Sequence, residues 1–203
     1  MAKNTQQSIF CRFEKNGNSY YGKYEDNIIH QLEKEPWFGI EFTGITFELP
    51  QVKLLHPSEP NKILGLVKAY KQAWGDKVPP RFVRWFLKPA SSAASDGDEI
   101  ILPPLLKKVK VECELTIIIG KSLANSDEQD AEAAIFGFTV GNDIMGYADS
   151  FVEATGDSID YKDPSLAAAL KIGDGFAPVG PFVWTNVDWP DKNLTVSMQN
   201  PET

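Results

Sequence analysis

Short apolar runs separated by turn residues set the pattern of this chain, which is one of many strands and few helices. Ile9 to Phe13 reads as a strand, Asn16-Gly17-Asn18 as a turn and Tyr20 to Tyr24 as the returning strand, which together predict a hairpin. Two further strand-like pieces follow, Ile40 to Phe42 and Val52 to Leu55. Pro57, Pro60 and the polar residues between them then interrupt the pattern. The break predicts a small β-rich N-terminal lobe at residues 1–56 and a second unit at 57–203.

The second unit opens with the apolar stretch Ile63 to Val67 and a short helix-like piece ending near Gly75, stopped by Pro79-Pro80. Phe82 to Leu87 is rich in aromatic and β-branched residues and predicts a buried strand. Ser91 to Asp98 reads as a small-residue loop, and Ile100 to Leu102 and Val109 to Ile119 as strands. Ser126-Asp127-Glu128-Gln129 has the spacing of a capping box, with Ser126 as the cap. It predicts a helix running to about Phe136, with acids near its positive end. Phe138 to Gly141 leads out of that helix, and Ala154 to Pro164 reads as a polar loop. Pro181 to Thr185 and Leu194 to Met198 are the last predicted strands. The fold class is therefore α+β and β-rich, without internal repeats or heptads.

Composition narrows the function more than the fold. The 203 residues are 42% hydrophobic, enough for one sizeable core or a small and a larger lobe. The net charge of -8 argues against nucleic acid as a partner, because neutralising phosphates takes a basic surface. Two distant cysteines, Cys11 and Cys113, make neither a disulfide framework nor a CxxC pair, which suits a reducing, cytoplasmic setting. Met1 to Ser8 lacks the apolar segment of a signal peptide, and the apolar run Leu115 to Ile119 is far too short to cross a bilayer, so no membrane association is expected.

Candidate chemistry concentrates in Val111-Glu112-Cys113-Glu114-Leu115. Side chains alternate along a strand, so Glu112 and Glu114 would share one face while Cys113 and Leu115 point to the core. Two adjacent carboxylates repel by several kcal/mol once desolvated, and water, a basic residue or a cation must offset that. Taken alone, the triplet fits a solvent-facing strand equally well. The apolar flank, Val111 and Leu115 to Ile119, instead suggests a buried strand, where unpaired carboxylates are costly. Gly141-Asn142-Asp143 follows Phe138-Thr139-Val140, which sets Asp143 at a strand end; by itself this signals a turn. Together Glu112, Glu114 and Asp143 would form an all-oxygen, anionic ligand set suited to Mg, Mn or Ca.

An ordered series of motifs extends this reading. Pro60-Asn61-Lys62-Ile63 through Gly65-Leu66-Val67-Lys68 is similar to P-x-K-I-x-x-x-G-x-N-Y, and Phe86-Leu87-Lys88-Pro89-Ala90-Ser91 to F-x-K-P-x-S. Gly97-Asp98-Glu99-Ile100-Ile101-Leu102-Pro103 is similar to G-D-x-I-x-x-P. Glu112 to Gly120 matches E-x-E-L-x-x-x-I-G, and Gly137 to Asp143 matches G-x-x-x-x-N-D. Lys171, Asp174, Pro178 and Gly180-Pro181 match K-x-x-D-x-x-x-P-x-G-P. In this order the blocks resemble the fumarylacetoacetate hydrolase family, whose fold pairs a small β-rich leader with a mixed β-sandwich or β-roll core.

The resemblance implies a divalent cation held by Glu112, Glu114 and Asp143, and a small 2-oxo or 1,3-dicarbonyl acid whose C–C bond is hydrolysed, decarboxylated or isomerised. It also implies a homodimer. The cation would chelate substrate oxygens as a Lewis acid. Lys171 would add positive charge at the developing oxyanion. Lys71 stands where the family has its general-base histidine, and Trp74 where it has the partner glutamate; a lysine is protonated near neutral pH and is a poor base. Val67-Lys68 replaces the asparagine-tyrosine pair. Lys88 and Tyr147 take substrate-binding positions, but Tyr147 replaces an arginine and Ser150 a glutamine. A tyrosine cannot clamp a carboxylate through two parallel hydrogen bonds as an arginine can. The sequence ends before the family's G-D-x-I-x-T-G-T-P segment, so either it is a truncated form or the fold lacks the family's last core strands. His30 and His56 belong to the leader and boundary and read as structural or surface residues. Two functions follow: a metal-dependent enzyme on small oxo acids, best suited to decarboxylation or tautomerisation, or a catalytically impaired binding or assembly module.

Overall fold

The structure is a computed structural model that describes residues 7–78, 81–104, 106, 108–147 and 169–187. Strand β1 (Ser8–Lys15) turns through Asn16 and Gly17 into β2 (Asn18–Glu25). Both turn residues have positive φ, 52° and 78°, as a two-residue hairpin loop of matching twist requires. Asp26 and Asn27 repeat the device, at 49° and 65°, and launch β3 (Ile28–Leu32), a strand the hydrophobic pattern did not reveal. Next come β4 (Phe42–Glu48), which starts where the strand predicted from Ile40 was to end, and β5 (Lys53–Leu55).

The second unit continues with β6 (Ile63–Val67), β7 (Arg84–Lys88), β8 (Ala93–Ala94), β9 (Val109–Lys110) and β10 (Cys113–Ile119). Helix α1 (Glu128–Ala133) leads directly into β11 (Ile135–Asn142), followed by β12 (Met145–Gly146), β13 (Ala177–Pro178) and β14 (Phe182–Thr185). The molecule is strand-rich with few helices, as the pattern predicts.

One eight-stranded sheet runs in the order β10-β11-β14-β1-β2-β3-β4, with β5 also paired to β1. Strand β1 is the hinge of this sheet. Its start pairs with β14 (Ser8 opposite Thr185), its far half with β5, and its other edge with β2. The two halves of the chain thus share one hydrogen-bonded sheet. Cys11, Phe13 and Ile29 form the buried centre on one face, covered by Tyr20, Tyr24, Phe47 and, from β14, Phe182. The Tyr24 and Phe182 rings lie 4.7 Å apart. A second cluster, Leu106, Ile144, Leu170 and Phe176, packs behind the ends of β10 and β11. Burying each such large side chain contributes about 1.5–3 kcal/mol.

Several sequence expectations are corrected. The helix cap is Asp127, whose carboxylate accepts from the Asp130 amide, and not Ser126. The helix also stops at Ala133 rather than Phe136, because Ile135 joins the ladder opposite Ile119. The strand expected over Val109 to Ile119 breaks at Val111-Glu112. Ile100 to Leu102 is not a strand; Ile100 and Leu102 pack on the second cluster while Ile101 is exposed. Phe82 to Leu87 is not a buried strand. Trp85 and Leu87 are 64% and 50% exposed, because among the described residues β6 and β7 pair only with each other and one face of their ribbon is uncovered. The predictions for Pro79-Pro80, Ala154 to Pro164 and Leu194 to Met198 lie outside the described residues.

Candidate active site

Glu112 immediately precedes β10 and Asp143 immediately follows β11, and the two strands are antiparallel neighbours with Cys113 opposite Asn142. That register sets two acids from distant stretches of chain side by side. The join is pinned at both residues: the Asp143 amide donates to the Glu112 carbonyl at 2.8 Å, and the Glu112 amide donates to Asn142 Oδ1 at 3.1 Å. Gly141 allows the close approach, since a Cβ there would lie 2.3 Å from Thr116 Oγ1. Asn142 is a site residue that the motif contained but that sequence reasoning left without a role.

The ammonium of Lys171 lies between the two carboxylates. It donates to Glu112 Oε2 at 3.0 Å and to Asp143 Oδ2, and its Nζ sits 4.7 Å from the centre of the Phe86 ring. Lys110 donates to the other Glu112 oxygen at 2.5 Å. Lys88, at 2% exposure the most enclosed of these charges, comes up behind Asp143. Its Nζ is 2.7 Å from Asp143 Oδ1 and donates to the carbonyls of Ile144 (3.0 Å) and Phe176 (2.6 Å). The Lys88–Asp143 contact is a charge attraction rather than an aligned hydrogen bond, and Asp143 Oδ1 remains a buried acceptor without one.

These contacts shift the titrations. Burial is the largest single influence on Glu112 and raises its pKa, but the hydrogen bonds and charges of Lys110 and Lys171 together outweigh it, so the carboxyl is held below its ordinary value. Burial lowers the pKa of Lys88, with the charge of Asp143 opposing that shift. Lys110 is raised by its exposed pairing with Glu112.

Glu114 has a different partner. Its Oε2 accepts from the Tyr70 hydroxyl at 2.7 Å, and that hydroxyl in turn accepts from the Leu115 amide at 3.0 Å. Of the three expected ligands, Glu112 and Asp143 are thus brought together on one positive group, and Glu114 is tied to Tyr70. Among the described residues no group of three or more His, Cys, Asp or Glu side chains is arranged to hold a metal ion. Glu112 and Asp143 still suit a hard cation in donor chemistry. Both are anionic oxygen donors, they converge where a positive charge already sits, and one oxygen of Asp143 is buried without a hydrogen bond.

The other expected residues differ in setting. Lys88 is enclosed by protein acceptors and faces no open space. Tyr147 has its amide bonded to the Lys108 carbonyl and its side chain partly exposed. Lys71 opens a short 3-10 turn, Lys71–Ala73, and its side chain lies outside the described residues. His56 is buried, with Nδ1 2.9 Å from the Ser58 carbonyl, and His30 packs edge-on against Phe42.

Residues 62–200 match the family model described as fumarylacetoacetate (FAA) hydrolase C-terminal. The chain belongs to the fumarylacetoacetate hydrolase family. Residues 10–57 match a second model, described as Rv2993c-like, N-terminal. An uncharacterized protein of Archaeoglobus fulgidus is 31% identical over 184 residues, 89% of this chain and 65% of that protein. The 4-hydroxyphenylacetate degradation bifunctional isomerase/decarboxylase of Escherichia coli is 33% identical over 121 residues, 59% of this chain and 24% of that protein. The chain therefore spans less than two thirds of the length of these curated relatives.

Among solved structures, 2-hydroxyhepta-2,4-diene-1,7-dioate isomerase from Mycobacterium marinum superposes with a TM-score of 0.71 at 26% identity, covering 89% of this chain and 68% of that one. Maleylpyruvate hydrolase from Sphingobium sp. SYK-6, solved with manganese(II) and pyruvate, shares the fold with a TM-score of 0.58 at 21% identity, over 86% of this chain and 66% of that one. No helix among the described residues is long and apolar enough to cross a membrane.

Proposed function

We propose that this family member is a divalent-metal-dependent enzyme acting on small 2-oxo or 1,3-dicarbonyl acids, by hydrolysis, decarboxylation or isomerisation at a C–C bond. The observation that carries the reading is the convergence of Glu112 and Asp143 on one point that already holds the ammonium of Lys171. Glu112 and Asp143, joined by Glu114, would hold Mg, Mn or Ca, and the bound ion would supply Lewis acidity to the oxo and carboxylate oxygens of a substrate. Lys171 would move from the carboxylates to the substrate and donate to the oxygen on which negative charge develops. Lys88 braces Asp143 from behind, a positioning role in place of direct substrate contact. Tyr147 would line the substrate side, with Lys71 at the position of the family's general base. Losing an activated water harms decarboxylation or tautomerisation least, so these reactions are preferred over hydrolysis.

A second reading is favoured by one specific observation. Lys88, Lys110 and Lys171 already neutralise Glu112 and Asp143, an arrangement that is complete without an added ion. On that reading the chain is a binding or assembly module. For either function we propose a cytoplasmic homodimer in which residues 1–56 and 57–203 are the two sequence units.

The test is to titrate the purified chain with manganese(II), following free ion by electron paramagnetic resonance, and to assay oxaloacetate and a panel of acylpyruvates beside Glu112→Ala and Glu114→Ala. Binding and turnover that both fall in the variants support the enzyme. Binding without turnover on any substrate supports the module, and no binding at all removes the cation centre.

A further inference from the structure

We propose that Tyr70 is a positioning residue that holds Glu114 away from the Glu112–Asp143 pair and so sets the affinity of that centre for divalent ions. The inference rests on the cation reading above.

The Tyr70 hydroxyl is used in both directions, donating to Glu114 Oε2 at 2.7 Å and accepting from the Leu115 amide at 3.0 Å. The second bond is available because, among the described residues, β10 ends the strand order of the sheet. The loop that carries Tyr70 is tied to itself. Lys68 adopts a left-handed φ of 55°, Lys71–Ala73 forms a 3-10 turn, and the Trp74 indole donates to the Lys68 carbonyl at 2.9 Å. Lys68 Nζ lies 5.5 Å from the Trp74 ring centre, closing the same knot. Tyr70 is therefore presented to Glu114 by a preformed loop.

Tyr70 is 46% exposed, so the contact can open without disturbing either core cluster. A carboxylate that accepts a strong hydrogen bond from a phenol must give it up before turning to an ion, and breaking such a bond opposes binding. Glu112 and Asp143 are already together, so the move of Glu114 separates a two-carboxylate centre from a three-carboxylate one. Tyr70 thus acts on the centre only through Glu114.

Manganese(II) binding to the full chain is measured by electron paramagnetic resonance for the wild type, Tyr70→Phe, Glu114→Gln and the double variant. Tyr70→Phe is expected to tighten binding about tenfold, the scale of one hydrogen bond to a charged acceptor. In the Glu114→Gln background the same change should have no effect. Trp74→Leu, which unties the loop but keeps the hydroxyl, should tighten binding in the same direction and to a smaller degree. Equal or weaker binding by Tyr70→Phe, or the same tightening without Glu114, overturns the role of Tyr70 while leaving the cation centre standing. Absence of manganese binding in every variant overturns both.

Discussion

Lys88 is the residue whose removal should cost the most at this site. It is enclosed, its pKa is lowered by burial, and it faces a buried oxygen of Asp143 and two backbone carbonyls. Lys88→Met leaves two carbonyls short of a donor and removes one of the two ammonium groups that face Asp143. The expected loss is about 3 kcal/mol, the scale of breaking a buried ion pair from one side. Lys110→Met removes an ammonium whose side chain is 49% exposed, and should change stability by less than about 1 kcal/mol. Urea unfolding of the two variants measures the contrast, and equal losses would contradict the difference in enclosure. His56 gives a separate pH signature. Its ring is buried neutral, burial lowers its pKa below 6.5, and Nε2 has no hydrogen-bond partner. Below pH 6.5 the unfolded chain takes up a proton before the folded one, so stability should fall as the pH drops from there towards the folded pKa. Glu112 acts lower. Its folded pKa lies below 4.5, so its contribution is complete above that value and is lost as the pH falls through the folded pKa. Replacing His56 by Gln should flatten the first phase and leave the second, as read from unfolding midpoints across pH.

At the scale of elements, the local signals were legible wherever one residue type dictates the backbone. Asn16-Gly17 specifies the first hairpin, and Asp26-Asn27, with the same positive φ, turns β2 into β3. The helix shows how neighbouring signals compete. Ser126 and Asp127 are both good caps, and the pattern alone does not choose between them; the observed bond is from the Asp130 amide to Asp127. Asp127→Ala should therefore weaken α1 by about 1 kcal/mol while Ser126→Ala leaves it unchanged. Hydrogen exchange at Asp130 and Ala131 reads the difference locally. The far end of the helix is not legible locally, because Ile135 and Phe136 suit a helix face and a strand alike, and pairing with β10 decides. The site was half legible for a related reason. The ends of β10 and β11 followed from the motifs, so Glu112 and Asp143 were found. The destination of the Glu114 side chain depends on Tyr70, 44 residues away, and nothing local announces that contact.

Across the whole molecule, sequence and structure divide the chain differently. Two family models meet near residue 60, yet β1 bonds to β2 on one side and to β14 and β5 on the other, and Phe182 completes the core around Phe13. The break at Pro57 and Pro60 is a boundary in the pattern of the chain, whereas hydrogen bonds and apolar contacts cross between its two sides. A unit whose core borrows a ring from the other side, and whose first strand supplies the ladder for β14, should not unfold by itself. Single-tryptophan chains retaining Trp37 or Trp184 report from the two sides and should give the same urea midpoint. Phe13→Ala, at a fully buried position, should lower both midpoints together by about 3–5 kcal/mol of stability. If the midpoint at Trp37 fell while that at Trp184 held, the shared sheet would be a contact between independent folds. On the exposed face of β6 and β7, Trp85 and Leu87 lie outside both clusters, so Trp85→Ser in the otherwise unaltered chain should leave its unfolding free energy within about 0.5 kcal/mol of the parent.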